Sequence, residues 1–454
     1  MPKSTDDVKR DRHASREFLI SETITPPESE ARQKEPVGAT LKEAYPDLLA
    51  GPAFVRHAVT RLKGVEAFVS TAISVDGLDE AENQEREVLE VAKIVDQAAG
   101  SVDTRFWGML ANGVFCVVMP DEDESAATGL GESVRKSVRE SGDRTATAGV
   151  TVYPLIDFTR EDTVKNTQKA LDHAAFFGPD SQVVFDAVSL NVSGDQFYQE
   201  GDVDSAIIEF ERALKLNPEE TNVLNSLGVA YAVKEKPDQA MKCFDKAREL
   251  AGSDIMPVYN TGLALLMAGQ REQALRQFLE ADSMEPGVFE ILYQTGRVQL
   301  ELGRAAEAVE SCTRAVEARP DSSAAHRMLG DGLALSGSFR EASKEYEKAL
   351  RIFPNDAAAL SSLGQMYAEL GENLDIALSF ARQSVNLAPE NGLYHLRLAR
   401  IHEKREEEDK ALEFHEKARE LGYSAIDTGT PGTEVEIVPA GKAEARASTG
   451  AKTQ

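Results

Sequence analysis

The sequence has few cysteines and no long apolar run, and both shortages exclude classes of protein. Its only cysteines are Cys116, Cys243 and Cys312, which lie far apart and form no CxxC pair. This spacing argues against a zinc motif or a disulfide framework, and it predicts buried small side chains in a reducing compartment. The apolar run at 113–120 is among the longest, and it is too short to span a membrane.

Positive charge is also scarce. Lys and Arg total 50 against 77 Asp and Glu, so the net charge is −27 at pH 7. Such an excess of negative charge repels phosphate groups, which makes nucleic acid and anionic lipid poor partners for the chain as a whole. The charged N-terminal residues also lack the apolar core of a signal peptide. The sequence therefore predicts a cytoplasmic protein with no nucleic-acid partner and no membrane insertion.

A period of 34 residues dominates the second half of the chain. Glycine recurs at this spacing, at Gly194, Gly228, Gly262, Gly296, Gly330 and Gly364. Two alanine series keep the same step, and between them lie the large side chains Phe210, Phe244, Phe278 and Tyr346, with Cys312 in the remaining unit. Self-similarity at a fixed period is typical of proteins built from stacked repeats.

Each repeat is expected to form two amphipathic helices. The small residues let the two helix backbones approach each other, and the large side chain fills the wedge between them. A proline or a glycine ends most of the second helices, because proline lacks the N–H group and clashes with the preceding turn. One such hairpin cannot bury its apolar face alone, so the repeats are expected to stack into an extended solenoid.

This pattern resembles the tetratricopeptide-repeat (TPR) family over a little more than half of the chain. The resemblance implies an all-α solenoid of about seven helix hairpins that holds other proteins. Its units are 187–220, 221–254, 255–288, 289–322, 323–356, 357–391 and 392–424. The last unit departs most from the pattern, with the charged run 403–409 at its turn, as a capping repeat should.

The resemblance also implies a partner-binding groove. In TPR proteins the second, fifth, ninth and twelfth places of each first helix line the concave face. Those places include Asn222, Asn225, Tyr259, Leu263, Tyr293, Arg297, Arg327, Gln365 and Arg400. Tyrosine and arginine are enriched in binding hot spots, and arginines in an acidic protein suit a carboxylate or an acidic peptide. The alternative is that each is an ordinary polar surface residue.

Residues 45–186 have a strand-like rhythm instead. Strands are predicted at 66–77, 104–110, 113–120, 145–154 and 181–186. Helices are predicted at 81–98, 124–140 and 162–177. This order predicts an α+β sandwich with helices on a mainly antiparallel sheet, and Asn112-Gly113 favours a tight primed turn between the second and third strands. The polar flanks, 1–44 and 425–454, show little periodicity and are predicted to be disordered.

Several strings in this region resemble the GGDEF (diguanylate cyclase) family, whose fold is that of nucleotide cyclases. Residues 45–54 are similar to the family's opening motif, and residues 169–184 are similar to its closing motif. Residues 114–120 match the strand that follows the signature. The resemblance covers about a third of the chain and implies a nucleotide-cyclase-like sandwich ahead of the TPR solenoid.

The signature of that family is absent. Its Gly-Gly-Asp-Glu-Phe places are held here by Ala111, Asn112, Gly113, Val114 and Phe115. Val114 therefore stands where a metal-binding glutamate would be, and Ser74 replaces the metal-binding aspartate of the first strand, with Asp76 nearby. Synthesis of a phosphodiester from GTP needs carboxylates that hold Mg²⁺ against the triphosphate. The sequence thus predicts a degenerate domain with no catalytic residue, no cofactor and no metal.

Three hypotheses remain open. In the first, the chain is a non-enzymatic scaffold or adaptor, bacterial and regulatory, that holds a protein or peptide in its TPR groove. In the second, the degenerate domain still binds a nucleotide or a cyclic dinucleotide and passes that state to the repeats. The missing Gly-Gly pair and the missing Arg-x-x-Asp product site count against it. The third, an active cyclase, conflicts with the missing metal carboxylates. The oligomeric state is left open.

Overall fold

A computed structural model describes residues 38–81, 83–100, 102–142 and 144–423. The contacts divide the chain into two units between Asn260 and Thr261, and each unit is described by itself. The predictions of disorder for residues 1–37 and 425–454 fall outside the described residues.

The N-terminal unit begins with an α+β region. Its described strands are β1 (Phe68–Val75), β2 (Phe106–Ala111), β3 (Val114–Pro120), β4 (Ala146–Tyr153) and β5 (Gln182–Val184). Its helices are α1 (Ala39–Ala44), α2 (Pro52–Arg61), α3 (Gln84–Ala99), α4 (Glu124–Ser141) and α5 (Arg160–Ala175). The strand order is β2-β3-β1-β4-β5, and only the β4–β5 pair is parallel. The predicted α+β architecture with a mainly antiparallel sheet is confirmed.

Strand β3 is apolar at every position before its final proline, and both of its faces are buried. Phe115, Val117 and Met119 belong to the core that α3 and α4 cover. Cys116 and Val118 point to the opposite face, into the core formed with α2 and α5. Successive residues of a strand face opposite sides, so a continuous apolar run suits a strand covered by helices twice.

Helix α5 lies unusually close to β4. A Cβ atom at Gly149 would lie only 2.2 Å from the backbone nitrogen of Leu171. The buried hydroxyl groups of Ser70, Thr151 and Thr167 satisfy one another across the same contact, at distances of 2.7–2.9 Å. Only a glycine at position 149 permits this approach of helix to strand.

The structure differs from the sequence analysis at three places in this region. Residues 38–44 were expected to be disordered, but α1 forms there because Leu41 is only 2% exposed and joins the core. Helix α2 was not predicted, although a proline begins it and Phe54 leads its buried face. The β2–β3 turn is not of the primed type, since Gly113 has a φ of +74° whereas Asn112 is not among the described non-glycine residues with positive φ.

Helix hairpins follow the α+β region. In the N-terminal unit they are α6 (Ala187–Gln199) with α7 (Val203–Leu216) and α8 (Thr221–Val233) with α9 (Pro237–Ala251). Helix α10 (Met256–Met267) begins in this unit and ends in the next. The C-terminal unit continues with α11 (Arg271–Met284), α12 (Phe289–Glu301), α13 (Ala305–Ala318), α14 (Ser323–Leu335), α15 (Phe339–Ile352), α16 (Ala357–Leu370), α17 (Leu374–Leu387), α18 (Gly392–Lys404) and α19 (Glu408–Glu420). The first helix of every predicted repeat begins at the predicted residue or one residue later. None of the described helices combines the length and the apolar character that crossing a membrane requires.

A glycine and a ring lock the two helices of most hairpins together. A Cβ atom at Gly194 or at Gly228 would lie 2.4 Å from the ring of Phe210 or Phe244, respectively. The same clash, at 2.5–2.6 Å, involves Phe278 opposite Gly262 and Tyr346 opposite Gly330. These rings are at most 1% exposed, so the small and large residues of the repeat are complementary halves of one contact.

Charged pairs join successive hairpins along their turns. In the C-terminal unit, Arg304 bonds Glu272 of the preceding hairpin at 2.9 Å, whereas Arg340 bonds Glu372 of the following one at 2.6 Å. Arg405 again reaches back to the preceding hairpin, to Asp375. These pairs are largely exposed, so each stabilises the stack by only about 0–1 kcal/mol.

The α+β region and the first hairpin are packed against each other within the N-terminal unit. The connecting segment, residues 185–190, is short, and α5 lies on both α6 and α7. Lys169 Nζ donates to Glu209 Oε2 at 2.5 Å, and both side chains are mostly buried. His173 Nδ1 lies 3.0 Å from Ser189 Oγ. These contacts support the expectation of limited motion at this junction.

We predict that Gly149→Ala destabilises the α+β region by about 3 kcal/mol, because the added methyl group meets the backbone of α5. The matched change Gly129→Ala, in α4 with open space around it, should instead stabilise the region by about 0.5–1 kcal/mol. Trp107 in β2 is the only tryptophan of the chain, so its fluorescence during urea unfolding reports on this region alone. Equal midpoints for both variants would contradict the close approach of α5 to β4.

Candidate functional site

A cavity of about 450 Å³ lies on the first helices of the last three hairpins. We call it the Arg327 pocket. Helices α14, α16 and α18 supply its polar groups, which include Arg327, Asp331, Gln365, Glu369 and Arg397. Its apolar wall includes Leu300, Leu335, Phe339, Met366, Leu393 and Tyr394. The pocket is therefore an apolar cleft crossed by charged groups, which is the usual composition of a ligand site.

An ionic network forms one side of the pocket. Arg327 Nε lies 3.2 Å from Asp356 Oδ2, and Arg327 Nη1 lies 3.8 Å from Asp331 Oδ2. Asp331 Oδ1 accepts a hydrogen bond from the Tyr346 hydroxyl at 2.8 Å. Asp356 also caps α16 by accepting from the Ala359 backbone N–H at 3.0 Å. The Arg327 guanidinium is thus held between two hairpins.

The protonation of this network follows from burial and from its own charges. Burial raises the pKa of Asp331, while Arg327 and the Tyr346 hydroxyl act in the opposite direction. Burial opposes the charge of Arg327, but Asp331 and Asp356 outweigh that effect and the Arg327 pKa is raised. Burial, together with the neighbouring Asp331, holds the Tyr346 pKa well above its usual range. Arg327 and Tyr346 therefore keep their protons at neutral pH.

Arg397 lies on the other side of the pocket. Its Nη1 donates to Ser362 Oγ at 3.0 Å and approaches Ser361 Oγ at 3.4 Å. Arg397 also interacts electrostatically with Asp331, where it acts against the rise in the pKa of that carboxyl. Burial raises the pKa of the adjacent Tyr394, which stays a neutral donor. A guanidinium can form paired hydrogen bonds with a carboxylate, because both groups are planar.

The pocket gathers only part of the predicted groove. Of the predicted residues in the C-terminal unit, Arg327 and Gln365 line it, whereas Leu263, Tyr293, Arg297 and Arg400 do not. Asp331 was overlooked although it occupies the ninth place of its repeat, so the same spacing rule predicts it. Arg397 falls at the sixth place of its repeat, next to the fifth place, so the spacing rule for the concave face does not include it. Partner binding at all of these positions stays a prediction.

The predicted groove residues of the N-terminal unit lie in a more buried setting. Asn222 is half-buried, whereas Asn225 and Tyr259 are 6% and 5% exposed, which leaves little of either for a partner. Asn225 Oδ1 accepts a hydrogen bond from Asn260 Nδ2 at 2.7 Å. This amide pair links the first helices of two successive repeats.

A second polar pair, within helix α6, was not predicted. Asn191 Nδ2 donates to Asp195 Oδ2 at 3.0 Å, and both residues belong to α6. Burial raises the Asp195 pKa to about 7, although a hydrogen bond with Ser226 acts in the opposite direction. Asp195 therefore titrates near neutral pH.

One cluster in the α+β junction has the residue types of a catalytic triad but not its geometry. His173 Nδ1 lies 3.0 Å from Ser189 Oγ and 3.5 Å from Asp186 Oδ1, so both groups approach the same ring nitrogen. A triad needs the carboxylate and the nucleophile on opposite ring nitrogens. Ser189 and Asp186 instead form the capping box that begins α6. The cluster is structural.

Residues 111–115, which the sequence resemblance equates with the GGDEF signature, contain no acidic residue. Val114 lies in β3 opposite Ser74 of β1. The Asp76 carboxylate accepts hydrogen bonds from Thr145 Oγ1 and Thr147 Oγ1, both at 2.7 Å, and from the Asp180 backbone N–H at 2.9 Å. Asp76 thus fastens β4 and the segment before β5 to the end of β1. The described part of the chain contains no group of three or more His, Cys, Asp or Glu residues that could hold a metal.

The raised pKa of Asp195 predicts a pH-dependent stability. The folded state holds this proton more tightly than the unfolded chain, so its stabilising contribution is complete below about pH 4 and is lost as the pH rises through about 7. Asp195→Asn keeps the acceptor for Asn191 and cannot ionise. We expect the variant to have a higher urea midpoint than the wild type at pH 8 and an equal midpoint at pH 4, measured by circular dichroism. A constant difference across this range would contradict the assignment.

Comparisons with known proteins bear on the repeats. A family model described as TPR repeat matches residues 194–234 and 330–371, and one described as tetratricopeptide repeat matches residues 259–323. No curated protein sequence matches the chain significantly. YrrB, described as a TPR protein with an unusual peptide-binding site, is 22% identical over 43% of this chain and 97% of its own, with a TM-score of 0.38.

Two further solved structures are similar to part of the chain. PilF from Pseudomonas aeruginosa is 21% identical over 46% of this chain and 94% of its own, with a TM-score of 0.41. A tetratricopeptide repeat protein from Parabacteroides merdae is 19% identical over 52% of this chain and 93% of its own, with a TM-score of 0.42. The matched family models, together with helix hairpins that recur every 34 residues, show that this chain carries tetratricopeptide repeats.

Proposed function

We propose that this chain is a protein–protein interaction scaffold or adaptor, and that the Arg327 pocket is its peptide-binding site. The observation that supports this most is the position of the pocket on the first helices of three successive repeats. Each of α14, α16 and α18 contributes polar groups to it, and apolar residues lie between them. A site shared by several repeats suits an extended ligand that runs along the stack.

The chemistry of the pocket favours a peptide with both apolar and polar side chains. The apolar wall, which includes Phe339, Met366 and Leu393, can bury aliphatic groups of the ligand. Arg397, which donates to Ser362 and acts electrostatically on Asp331, can position polar groups of the ligand. Asp331 and Asp356 already balance Arg327, so that residue positions the site more than it attracts charge.

We further propose that the α+β region is a degenerate GGDEF-like domain that serves for docking or dimerisation in a bacterial regulatory protein. Its strand order, with the β2–β3 hairpin at one edge and β1 in the centre, suits a nucleotide-cyclase-like sandwich. Val114 cannot ligate a metal, and the Asp76 carboxylate is engaged by three hydrogen bonds. The proposal therefore assigns this domain no chemistry and assigns the chain no enzymatic activity.

The absence of cyclase activity is a separate prediction. With GTP and Mg²⁺, the purified full chain should release no pyrophosphate above the rate of a buffer blank, because no carboxylate replaces the missing glutamate at position 114. An Asp76→Ala variant, checked for folding by Trp107 fluorescence, is the control. Turnover by the wild type that Asp76→Ala abolishes would overturn the proposal of a non-enzymatic domain.

The peptide site is tested by filling the pocket without changing its charge. Ala358 is half-buried in the pocket wall, so Ala358→Trp should occupy the cavity. Ala306 is exposed on α13 and does not line the pocket, so Ala306→Trp is the matched control. Affinity purification from the native cell should recover a partner with the wild type and with Ala306→Trp, and at least tenfold less of it with Ala358→Trp. Equal recovery by all three folded proteins would show that the pocket is not the binding site.

A further inference from the structure

The exposed face of helix α2 carries positive charge and no negative charge. The exposed residues of the helix are Pro52, Ala53, Arg56, His57, Thr60 and Arg61. Lys63, just beyond the helix, is exposed as well, and no Asp or Glu occurs between Asp47 and Glu66. This face therefore has the opposite sign to a chain whose net charge is −27. We call Arg56, His57, Arg61 and Lys63 the α2 patch.

No ion pair offsets the charge of this patch. Among the residues that the structure describes, no carboxylate pairs with Arg56, Arg61 or Lys63. Other cations of the same region are neutralised, as in Arg135, whose Nη2 lies 3.0 Å from Asp180 Oδ1. The α2 patch thus presents three permanent positive charges to solvent on an otherwise acidic protein.

The patch extends along the helix and is not confined to its end. Cations near a helix C-terminus stabilise the helix itself by interacting with its dipole, which accounts for Arg61 and Lys63. Arg56 lies in the middle of α2, five residues before Arg61, which corresponds to about 7–8 Å along the helix axis. The helix dipole gives no reason for a cation at that place.

Arg61 is held in position by an aromatic ring of β2. Its Cζ atom lies 4.2 Å from the centroid of the Phe106 ring, and the His57 ring meets the same ring edge on at 6.1 Å. Phe106 is only 7% exposed and belongs to the core beneath α2. A guanidinium stacked by its face keeps the N–H donors of its edge for a second partner. Because the ring already orders this side chain, binding costs less conformational entropy.

These donors favour carboxylate groups on a short segment of protein. A guanidinium and a carboxylate are both planar and can form two parallel hydrogen bonds. Nucleic acid and anionic membrane also carry negative charge, but they are extended, so they would face the acidic surface around the patch and be repelled by it. A short acidic peptide needs to cover only the patch itself.

We propose that the α2 patch docks a short acidic segment of a partner protein, whose carboxylates pair with Arg61 and Arg56. This inference rests on the proposed docking role of the α+β region, and it adds the charge of the segment that docks there. The groups involved are exposed, so salt screens the interaction and binding is tightest at low ionic strength.

The test uses the full chain and a short fluorescein-labelled peptide of alternating glutamate and glycine, with binding followed by fluorescence anisotropy at low salt. The wild type should bind this peptide and not the same peptide with glutamine in place of glutamate. Arg56→Glu/Arg61→Glu should weaken binding at least tenfold. The matched control is Arg276→Glu/Arg382→Glu, which makes the same change of net charge at exposed arginines on α11 and α17. It should alter the affinity less than twofold.

Two further variants separate geometry from charge and from folding. Arg61→Lys keeps the charge but loses the planar, stacked donor, so we expect peptide binding at least threefold weaker than that of the wild type. Should Arg56→Glu/Arg61→Glu fail to fold by circular dichroism, Arg56→Glu/Lys63→Glu replaces it, because this variant leaves the contact of Arg61 with Phe106 intact. At least threefold weaker binding is expected, and unchanged binding would overturn the proposal.

Three other outcomes would also overturn it. Equal loss of peptide binding in the matched control would show that net charge, and not the patch, governs the interaction. Binding of duplex DNA or of phosphatidylserine vesicles as tightly as the peptide would assign the patch to a different class of partner. Self-association of the wild type that Arg56→Glu/Arg61→Glu abolishes, detected by light scattering, would assign it to a second copy of the chain.

The result is independent of the other proposals. Partner recovery with Ala358→Trp decides the peptide site in the Arg327 pocket, and it does not depend on α2. Light scattering of the wild type decides whether the chain dimerises. A failed peptide experiment would therefore remove the acidic docking partner and leave both of those results standing.

Discussion

The contact between a glycine of one helix and an aromatic ring of its partner underlies the repeat architecture. It sets how closely the two helices of a hairpin approach, as at Gly228 with Phe244, where no larger residue than glycine fits. Because the contact recurs every 34 residues, it also fixes the rotation of each first helix about its axis. Side chains at equivalent places in successive repeats then point the same way, and this shared orientation is what allows distant parts of the chain to build one surface.

The Arg327 pocket is a product of that shared orientation. Arg327, Ser362 and Arg397 come from three repeats, yet they meet because their helices are in phase. Asp356 ties the network to the backbone, since the same carboxylate caps α16 and pairs with Arg327. A polar site on a rigid stack needs little reorganisation when a ligand arrives, and this preserves more of the interaction energy for binding.

The sequence predicts the repeats well and the pocket only in part. Spacing locates Arg327 and Gln365, and applied fully it also locates Asp331, because these places form the centre of the helix face. It does not locate Arg397, which lies one place away, since the depth of a pocket depends on how neighbouring side chains fill its edges. Likewise, composition predicts disorder at residues 38–44, but a helix forms there. Its one buried side chain, Leu41, packs into the core. Patterns average over a segment, whereas such features depend on one contact with a distant part of the chain.

The charged pairs along the turns contribute little to stability, but they affect how neighbouring hairpins align. Between some hairpins the cation belongs to the later member, as in Arg304 with Glu272 or Arg405 with Asp375, and between Arg340 and Glu372 it belongs to the earlier one. Near-identical hairpins could otherwise stack in any sequence, since each presents the same apolar face to its neighbour. The hairpins that Arg304 and Glu272 join are also joined by Arg271 of the earlier hairpin and Glu301 of the later one, so each of the two presents both a cation and an anion. Such reciprocal pairs form only when the two hairpins are in register, so they favour one alignment of neighbours although each pair is weak.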